Sequence, residues 1–513
     1  MSSDPLATTP SATTPTPAAA GTETRPAEPT DDLVTTRHSL RLGRRTLPYE
    51  ATTGRVVLRE EVYEDGVFTG HVAKAEVSIT SYVALTGDGD GGEGDGGAPD
   101  PARPVTFAFN GGPGSSSVWL HLGLLGPRRV VMGDAGDLLP PPYALVDNAE
   151  SLLAVSDLVL IDPVSTGYSR AVKGTKAAPF HGYQGDIESI AELVRLWTTR
   201  HRRWLSPTFV LGESYGTLRG AALVERLQSR YGMAVNGLVL ISSVLDLSSI
   251  DFENQRNDRA HALYLPTYAA IAQYHGRLGR TSLRKAVRDA EEYAARDYPW
   301  VLSRGDRLTA KERATAVRRL AELTGLTEAY VDRADLRIEH WRFFGELLRD
   351  QRLTAGRIDG RFTGPAASAI AEHMDADPSM DAIGRPYSAA FNHYVRHELR
   401  YENDLPYEQI SRRVHPWSFK DFEGRPIDVS PELERAMRAN PHLLVHVAQG
   451  YFDGATPHYA AEDVIAHLRL TPELRANIEL AYYEAGHMMY VHEPSRVQQG
   501  RDLADFVRRA SGG

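Results

Sequence analysis

The 513-residue sequence contains no cysteine, and this absence removes several kinds of chemistry at once. It excludes disulfide bonds, iron–sulfur clusters, zinc sites with thiolate ligands and a cysteine nucleophile. The sequence also lacks an uninterrupted apolar run of the roughly 18–20 residues that a membrane-spanning helix needs. It has no basic cluster, and its net charge of −10 gives no electrostatic footprint for nucleic acid or anionic lipid. We therefore expect neither a nucleic-acid partner nor a membrane partner.

Apart from alanine, the first 30 residues have only Met1 and Leu6 as aliphatic apolar side chains, although the chain as a whole has the 42% apolar content of a globular protein. They contain six prolines and eight threonines. Such a segment buries too little apolar area to offset its ordering entropy, so residues 1–35 are predicted to be a disordered tail. This tail has neither the basic start nor the apolar stretch of a signal peptide, which together with the missing cysteines favours a cytoplasmic protein.

Folded sequence is expected from about Leu40, beginning with short β-like runs at residues 55–58 and 75–85. Residues 87–100 follow, and seven of their first eleven positions are glycine. The acidic residues among them match neither an EF-hand loop nor a repeated Gly-Asp nonapeptide. A flexible hairpin insertion is therefore the preferred interpretation of this stretch.

Beyond residue 104, short apolar runs alternate with helical periods at residues 185–199 and 217–231. The apolar runs lack the polar alternation of half-exposed strands, which is typical of strands covered on both faces. The pattern therefore predicts an α/β fold with a mostly parallel central sheet and helices on both faces. The runs are VTFAFN (105–110), SDLVLID (156–162), TFVLGE (208–213) and NGLVLIS (236–242).

Strand character disappears over a long stretch in which charged amphipathic helices dominate, one of them opening with a capping-box pattern at Thr309 and Glu312. It returns in HLLVHVAQG (442–450) and IELAYYEA (478–485). A helical insertion at this point, above the carboxyl ends of the strands, would form a cap over an active site. The predicted boundaries are residues 36–250 and 441–513 for one α/β domain and residues 251–440 for the cap.

The sharpest chemical signal is the string Gly-Glu-Ser-Tyr-Gly at residues 212–216, between a predicted strand and a predicted helix. In that context G-x-S-x-G is the pattern of a nucleophile elbow, whose glycines permit a tight turn. A serine hydroxyl is a weak nucleophile near neutral pH and needs a histidine base that is oriented by a carboxylate. Ser214 is therefore the predicted nucleophile.

The acid and the base should follow in the order Ser, acid, His that accompanies this elbow. Asp453 and His487 each follow one of the two strands of the final segment, in loops at carboxyl strand ends. Among the 18 histidines, His458 is the main competitor for the base, but it follows a proline and is expected to begin a helix. Asp453 and His487 are therefore the predicted partners of Ser214.

A glycine-rich string, Asn-Gly-Gly-Pro-Gly-Ser-Ser-Ser, occupies residues 110–117 directly after a buried strand. It does not match a nucleotide-binding loop, because it contains no G-x-G-x-x-G and no Lys-Ser/Thr closes a P-loop. Such a loop can present backbone N–H groups to a developing oxyanion. We expect the N–H of Gly112 and that of Tyr215, the residue after the nucleophile, to form an oxyanion hole.

Five blocks, FNGGPGSSS, IDPVSTGYS, GESYG, GYFDGATP and EAGHMMY, together resemble the serine carboxypeptidase family, the carboxypeptidase Y and cathepsin A type (peptidase family S10), and stand in that family's order. The resemblance implies an α/β-hydrolase fold with a helical cap and the release of single residues from peptide C-termini. It also implies that Ser214, Asp453 and His487 form the catalytic triad. The residues that it assigns to the terminal carboxylate of the substrate are Asn110, Gly111 and Glu213.

Three positions depart from the family's pattern. Ser115 stands where the family commonly has cysteine, and the block IDPVSTGYS lacks the glutamine often found between its Asp and Pro. The third departure bears on mechanism, because Leu124 stands where the family usually has a second glutamate, whose negative charge would raise the pKa of Glu213. One hypothesis is that His121, on the same face as Leu124 if the segment is helical, supplies the missing donor. The alternative is that His121 only packs or faces solvent.

Three functions are open at this point. The preferred one is a serine carboxypeptidase that acts on peptides through an acyl-enzyme intermediate. An esterase, amidase or acyltransferase acting on a small acyl substrate would use the same machinery, and a non-catalytic binding protein would use only the fold. No His-Glu-x-x-His or similar spacing is present, so neither a metal nor a cofactor is expected. In the cap, the aromatic residues Trp341, Phe343 and Phe344 are interpreted as cap core rather than as pocket lining.

Overall fold

The computed structural model describes residues 28–86, 97–135, 137, 139–254 and 256–512. Most of the predicted tail therefore lies outside the described residues, as does most of the glycine-rich stretch at 87–100. At the ends of that stretch, the backbone N–H and the hydroxyl of Thr86 both donate to Ala98 O, at 2.9 and 2.8 Å. The chain therefore returns to the sheet beside the point where it left.

The described residues contain fourteen strands. The strands are β1 (Asp32–Leu42), β2 (Arg45–Glu64), β3 (Val67–Ala84), β4 (Val105–Phe109), β5 (Arg128–Val130), β6 (Leu145–Asp147), β7 (Asp157–Ile161), β8 (Arg170–Ala171), β9 (Thr208–Glu213), β10 (Gly237–Ile241), β11 (Leu353–Ala355), β12 (Thr363–Pro365), β13 (Leu444–Gly450) and β14 (Ile478–Tyr483).

The α-helices include one short turn, α1, that continues directly into a π-helical turn at His121–Leu125. They are α1 (Val118–Leu120), α2 (Tyr183–Arg200), α3 (Tyr215–Tyr231), α4 (Asp258–Tyr274), α5 (Leu283–Arg304), α6 (Ala310–Thr324), α7 (Glu328–Arg333), α8 (His340–Glu346), α9 (Pro378–His397), α10 (Ser430–Ala439), α11 (His458–Ala466), α12 (Pro472–Arg475) and α13 (Glu493–Ala510).

A ten-stranded sheet forms the centre of the molecule, in the order β1-β2-β3-β7-β4-β9-β10-β13-β14, with β8 beside β3. The strands from β7 to β14 in this order are parallel to one another, whereas β1, β2 and β3 are antiparallel to their neighbours. The strands β4, β7, β9 and β10 are buried along their whole length, as their continuous apolar runs predict. The prediction of an α/β-hydrolase fold with a mostly parallel sheet is confirmed.

Helices cover both faces of the sheet, and alternate strand residues enter two separate hydrophobic clusters. The first cluster includes residues of α2, α3, α10 and α11, and the second includes residues of the π-helical turn, α9 and α13. In β4, for example, Phe107 and Phe109 belong to the first cluster and Ala108 to the second. Because the strands between the two layers are parallel, the carboxyl ends of β9, β13 and β14 meet at one edge of the sheet.

The cap has a hydrophobic cluster of its own, which is formed mainly by residues of α4 to α8. Phe343 and Phe344 on α8 are fully buried in it, as predicted, whereas Trp341 is 37% exposed. The capping box of Thr309 and Glu312 begins α6, also as predicted. Among the described residues, no helix is both long and apolar enough to cross a membrane.

This cap ends before the predicted boundary at residue 440. Helix α9 packs into the cluster of the α/β domain through Tyr387 and Tyr394, and α10 packs against the other face of the sheet through Leu433 and Met437. Both helices are amphipathic, and an amphipathic pattern indicates only that one face is buried. It does not distinguish a helix of the cap from a helix that covers the sheet.

The sheet begins earlier than predicted, because β1 starts at Asp32 rather than near Leu40. Strands β2 and β3 are 20 and 18 residues long, well beyond the predicted runs at 55–58 and 75–85. Their outer parts carry many exposed polar residues, as antiparallel strands with a solvated face do. A search for apolar runs therefore detects only the inner parts of these strands.

Candidate active site

Ser214 lies at the tip of a sharp turn between β9 and α3. Its backbone has φ +61° and ψ −130°, which is a strained conformation for a residue with a Cβ atom. Two glycines make room for the turn: a Cβ on Gly212 would lie 2.0 Å from Gly216 O, and one on Gly216 would lie 2.9 Å from Phe109 O. This is the strand–turn–helix geometry that the G-x-S-x-G pattern predicts.

Asp453 and His487 form a buried hydrogen-bonded pair in the loops that follow β13 and β14. His487 Nδ1 lies 2.9 Å from Asp453 Oδ2, and Asp453 is fully buried. Burial lowers the pKa of His487, but the charge and the hydrogen bond of Asp453 outweigh this effect, so the pKa is raised overall. Because Asp453 occupies Nδ1, the other ring nitrogen, Nε2, remains for proton transfer.

The end of β10 connects this pair to Ser214. Ser214 N donates to Ile241 O at 3.0 Å, and Ser242 Oγ, one residue further along, donates to His487 O at 2.6 Å. Ser214 is partly exposed, and within the part of the chain that the structure describes its hydroxyl has no hydrogen-bond partner. The structure therefore brings Ser214 and His487 to the same edge of the sheet, and the described residues leave the serine hydroxyl without a hydrogen bond.

Two side chains that were not predicted, Thr456 and Tyr490, support the site. Thr456 Oγ1 donates to Asp453 Oδ2 at 2.8 Å, while Thr456 N and Ala455 N donate to the other carboxylate oxygen at 2.9 and 2.8 Å. An aspartate side chain often accepts hydrogen bonds from the backbone N–H groups two and three residues later, which forms a common type of turn. A threonine three residues after the aspartate is the sequence signal for this turn. Tyr490 stands three residues after His487 in the histidine block, where nothing in the motif indicates its hydrogen bond.

The glycine-rich loop after β4 packs directly against the first turn of α3. A Cβ on Gly111 would lie 2.5 Å from Tyr215 N, so only glycine permits this approach. Gly112 has φ +103°, in the region that favours glycine. Tyr215 is the first residue of α3, and the first N–H groups of a helix have no carbonyl partner within it. The predicted donors, Gly112 and Tyr215, therefore lie on adjoining segments beside Ser214.

Glu213 is buried directly before Ser214, and each of its carboxylate oxygens has a hydrogen-bond donor. Asn110 Nδ2 donates to Oε1 and Tyr490 OH donates to Oε2, both at 2.7 Å. Burial raises the pKa of Glu213 to about 7, although the charge of His487 and the two hydrogen bonds oppose the change. The pKa of Glu213 is thus raised without a neighbouring glutamate, because desolvation is the largest effect on it.

The hypothesis that His121 replaces the missing glutamate is wrong. His121 Nε2 lies 2.6 Å from Tyr82 OH, and the ring packs against Tyr394 and Phe391 in the core of the α/β domain. Burial lowers its pKa to about 3, so it is a neutral core histidine. Because residues 121–125 form a π-helical turn rather than an α-helix, the expected α-helical face does not exist.

A short segment that follows the cap helices binds the loops of both Asp453 and His487. This segment, residues 356–362, joins β11 to β12, and we call it the clasp segment. Arg357 O accepts from Gly454 N at 2.9 Å, and Ile358 O accepts from His487 N at 2.6 Å. Three further bonds join Gly360 N to Phe452 O, Gly486 N to Asp359 Oδ2 and Arg361 Nη1 to Glu484 O. The cap is therefore attached to the site through main-chain contacts on both loops.

His458 begins α11, as predicted, and forms no hydrogen bond with Asp453. Its Nε2 lies 3.2 Å from Glu291 Oε1 of the cap. Within the described residues, Glu291, His458 and Glu462 form one group that could hold a metal ion, because their ligand atoms lie within 4.8 Å of one another. This group is separate from the Asp453–His487 pair, and none of the contacts of Ser214, Asp453 and His487 described above involves it.

Comparisons with known proteins agree with the observed fold. A model of the serine carboxypeptidase family matches residues 98–493, which is most of the chain. No curated protein sequence gives a significant match.

Among solved structures, KEX1(delta)p, a prohormone-processing carboxypeptidase from Saccharomyces cerevisiae, is similar with a TM-score of 0.51 and 14% identity, over 90% of this chain and 91% of that one. Proline iminopeptidase from Mycobacterium smegmatis aligns over 93% of this chain and 99% of its own, with 12% identity and a TM-score of 0.33. At such identity the first of these matches shows a shared fold, while the family is shown by the sequence match. The chain belongs to the serine carboxypeptidase family and is a serine carboxypeptidase-like hydrolase with the α/β-hydrolase fold.

Proposed function

We propose that this hydrolase removes single residues from the free C-termini of peptides, with Ser214, Asp453 and His487 as its catalytic triad. The observation that carries the proposal is the buried Asp453–His487 hydrogen bond next to the strained elbow of Ser214. A histidine held in this way keeps its proton on Nδ1 and presents Nε2 as a base. The reaction class comes from the family, and this geometry supports the assignment of the residues.

Acylation begins when Ser214 Oγ attacks the carbonyl carbon of the last peptide bond. His487 Nε2 takes the hydroxyl proton, and Asp453 stabilises the imidazolium that forms. The negative charge that develops on the carbonyl oxygen is met by the N–H groups of Gly112 and Tyr215. The tetrahedral intermediate then breaks its C–N bond, His487 gives the proton to the leaving amine, and the terminal residue departs as a free amino acid.

Deacylation repeats these steps with water as the nucleophile. His487 takes a proton from the water while the hydroxyl oxygen attacks the ester carbonyl of the acyl-enzyme. The proton then returns to Ser214 Oγ as the ester bond breaks, and the shortened peptide leaves with a new carboxylate. The peptide is thus ready for another round of cleavage.

The terminal carboxylate of the substrate is assigned to Asn110, Gly111 and Glu213. A carboxylic acid donates a hydrogen bond when it is protonated, whereas its ionised form repels another carboxylate. Because the pKa of Glu213 is raised to about 7, a large share of this group is protonated in mildly acidic solution. The affinity for free-acid peptides should therefore weaken as the pH rises above about 7.

Peptide pairs with free and amidated C-termini test this proposal by mass spectrometry. The protein should shorten the free peptide one residue at a time and leave the amidated peptide largely intact. Ser214→Ala is the matched control, because it removes the attacking oxygen without changing the charge of the site. A fluorophosphonate probe should label the wild-type protein at Ser214 and should not label this variant.

Other outcomes lead to different conclusions. Equal turnover of free peptides, amidated peptides and simple esters would contradict the carboxypeptidase and identify an esterase, amidase or acyltransferase. The buried Leu124, which offers no hydrogen-bond donor, is the feature that favours this second function. A failure of Ser214 to react with the probe would refute the triad itself and favour a binding role.

A further inference from the structure

Arg357, in the clasp segment, carries a cation for which the described residues provide no carboxylate partner. The residue is partly buried, and its Nε is inaccessible to solvent and forms no hydrogen bond. Within the part of the chain that the structure describes, no carboxylate oxygen lies within 4.0 Å of its guanidinium. By contrast, Arg361 of the same segment pairs with Asp359 Oδ2 at 2.6 Å. An unpaired guanidinium that is partly removed from water is costly, which points to a ligand that is absent from the unbound protein.

The position of Arg357 places this cation beside the catalytic base. Its carbonyl oxygen is bonded to the loop of Asp453, and the carbonyl oxygen of the next residue is bonded to His487 N. Its charge also opposes the overall rise in the pKa of His487 and in that of Tyr264, whose hydroxyl donates to Ala455 O at 3.3 Å. The backbone of Arg357 therefore contacts the loops of Asp453 and His487, and its charge is close enough to act on His487 and Tyr264.

The side chain and backbone of Arg357 are held in place before any ligand binds. The guanidinium carbon lies over the ring of Trp341, 5.2 Å from the ring centroid, in a cation–π contact. The carboxylate of Asp377 accepts hydrogen bonds from Arg357 N and Ile358 N at 3.1 and 3.2 Å. Because Asp377 uses its oxygens on these main-chain donors, it fixes the segment without neutralising the guanidinium.

We propose that Arg357 binds a carboxylate of the peptide substrate next to the scissile bond. The planar guanidinium, with two N–H groups on one side, matches a carboxylate better than any other cationic side chain. The proposal rests on the proposed function, since it requires a peptide in the cleft. Two sources share this chemistry: the terminal carboxylate of the residue that leaves, or an acidic side chain beside the cleaved bond. Arg357 would place a full positive charge beside the terminal carboxylate, and neither Asn110 nor Glu213 provides such a charge.

Steady-state kinetics of Arg357→Met and Arg357→Lys test the proposal, with Arg333→Met as the matched control on the exposed surface of the cap. The substrates are peptides ending in Gln or Glu, each with a free terminal carboxylate, and p-nitrophenyl acetate, which has no carboxylate. We expect Arg357→Met to lower kcat/KM on carboxylate-bearing peptides roughly ten- to hundredfold, mainly through KM. Turnover of p-nitrophenyl acetate, measured at a pH where His487 is neutral in every variant, should fall far less than turnover of the peptides, and Arg357→Lys should recover part of the loss on the peptides.

The two sources of carboxylate give different patterns. A loss on every free-acid peptide identifies the terminal carboxylate, whereas a loss on the Glu peptide alone identifies the acidic side chain. An equal loss on p-nitrophenyl acetate, or no loss on any peptide, would overturn the proposal. If the wild-type protein hydrolyses the ester but releases no residue from any peptide, the proposed function itself fails, and this result is visible before any Arg357 variant is compared. If Arg357→Met does not fold, Arg357→Gln replaces it, and the same comparison is made between the carboxylate-bearing peptides and p-nitrophenyl acetate.

Discussion

Replacement of Glu213 by glutamine should make the stability of the protein less dependent on pH. In the folded protein, burial raises the pKa of Glu213 from an ordinary 4.5 to about 7. Between these values the folded protein holds a proton on Glu213 that the unfolded chain has lost, so the free energy of unfolding falls as the pH rises. Glutamine has nearly the same shape and no titratable proton, and so it removes this contribution.

The magnitude follows from the difference between the two pKa values. They differ by about 2.5, and one pKa unit corresponds to about 1.4 kcal/mol, which gives about 3 kcal/mol. The loss of unfolding free energy that Glu213 causes in the wild-type protein is absent below about pH 4.5 and complete above about pH 7. The hydrogen bonds from Asn110 and Tyr490 affect the absolute stability of the variant at every pH. The difference in unfolding free energy, variant minus wild type, should therefore rise by about 3 kcal/mol across this range.

Urea unfolding, followed by tryptophan fluorescence, measures this difference at a series of pH values from 4.5 to about 8. The two proteins should have equal m-values, so that the shift in midpoint reports the change in stability. Glu253→Gln, at an exposed glutamate, is the matched control for loss of a carboxylate. A difference between Glu213→Gln and the wild-type protein that stays constant with pH would refute the reasoning, because it would mean that Glu213 titrates alike in both states.

Two further variants test the acid and the partner of Glu213. Asp453→Asn should lower kcat for peptide release by roughly 10⁴-fold with little change in KM, because an amide cannot stabilise the imidazolium of His487. Steady-state kinetics measure this, and a loss of less than tenfold would contradict the role of Asp453. Tyr490→Phe removes a hydrogen bond that favours ionised Glu213, so the pKa of Glu213 rises further. The pH at which KM for free peptides begins to increase should move up by roughly one unit, and an unchanged profile would show that Tyr490 does not act through Glu213.

The parallel sheet could be predicted because its strands are covered on both faces. Strands such as β4 and β9 are buried throughout, so their sequences are continuous apolar runs that stand out from their surroundings. The positions of Ser214, Asp453 and His487 at the ends of strands were predictable for a related reason. Each follows a recognisable strand within a short motif, and the carboxyl ends of parallel strands meet at one edge.

Features that depend on contacts between distant segments could not be predicted in this way. The clasp segment is about a hundred residues from the loops that it binds, and no local pattern reports such pairing. The orientation of His121 depends on a π-helical turn, whose composition does not differ from that of an α-helix. The raised pKa of Glu213 depends on burial, which its motif does not encode. In each case the deciding information lies in the packing.

The clasp segment makes the geometry of the proposed triad a property of two parts of the molecule together. Its main-chain bonds to Gly454 N and His487 N mean that any displacement of the cap also displaces the acid and the base. Mild denaturant that loosens the cap should therefore abolish turnover while the sheet is still intact. For the same reason, a cap taken from another family member cannot be exchanged as an independent module. The graft would restore activity only if it brought a hairpin that makes these same two bonds.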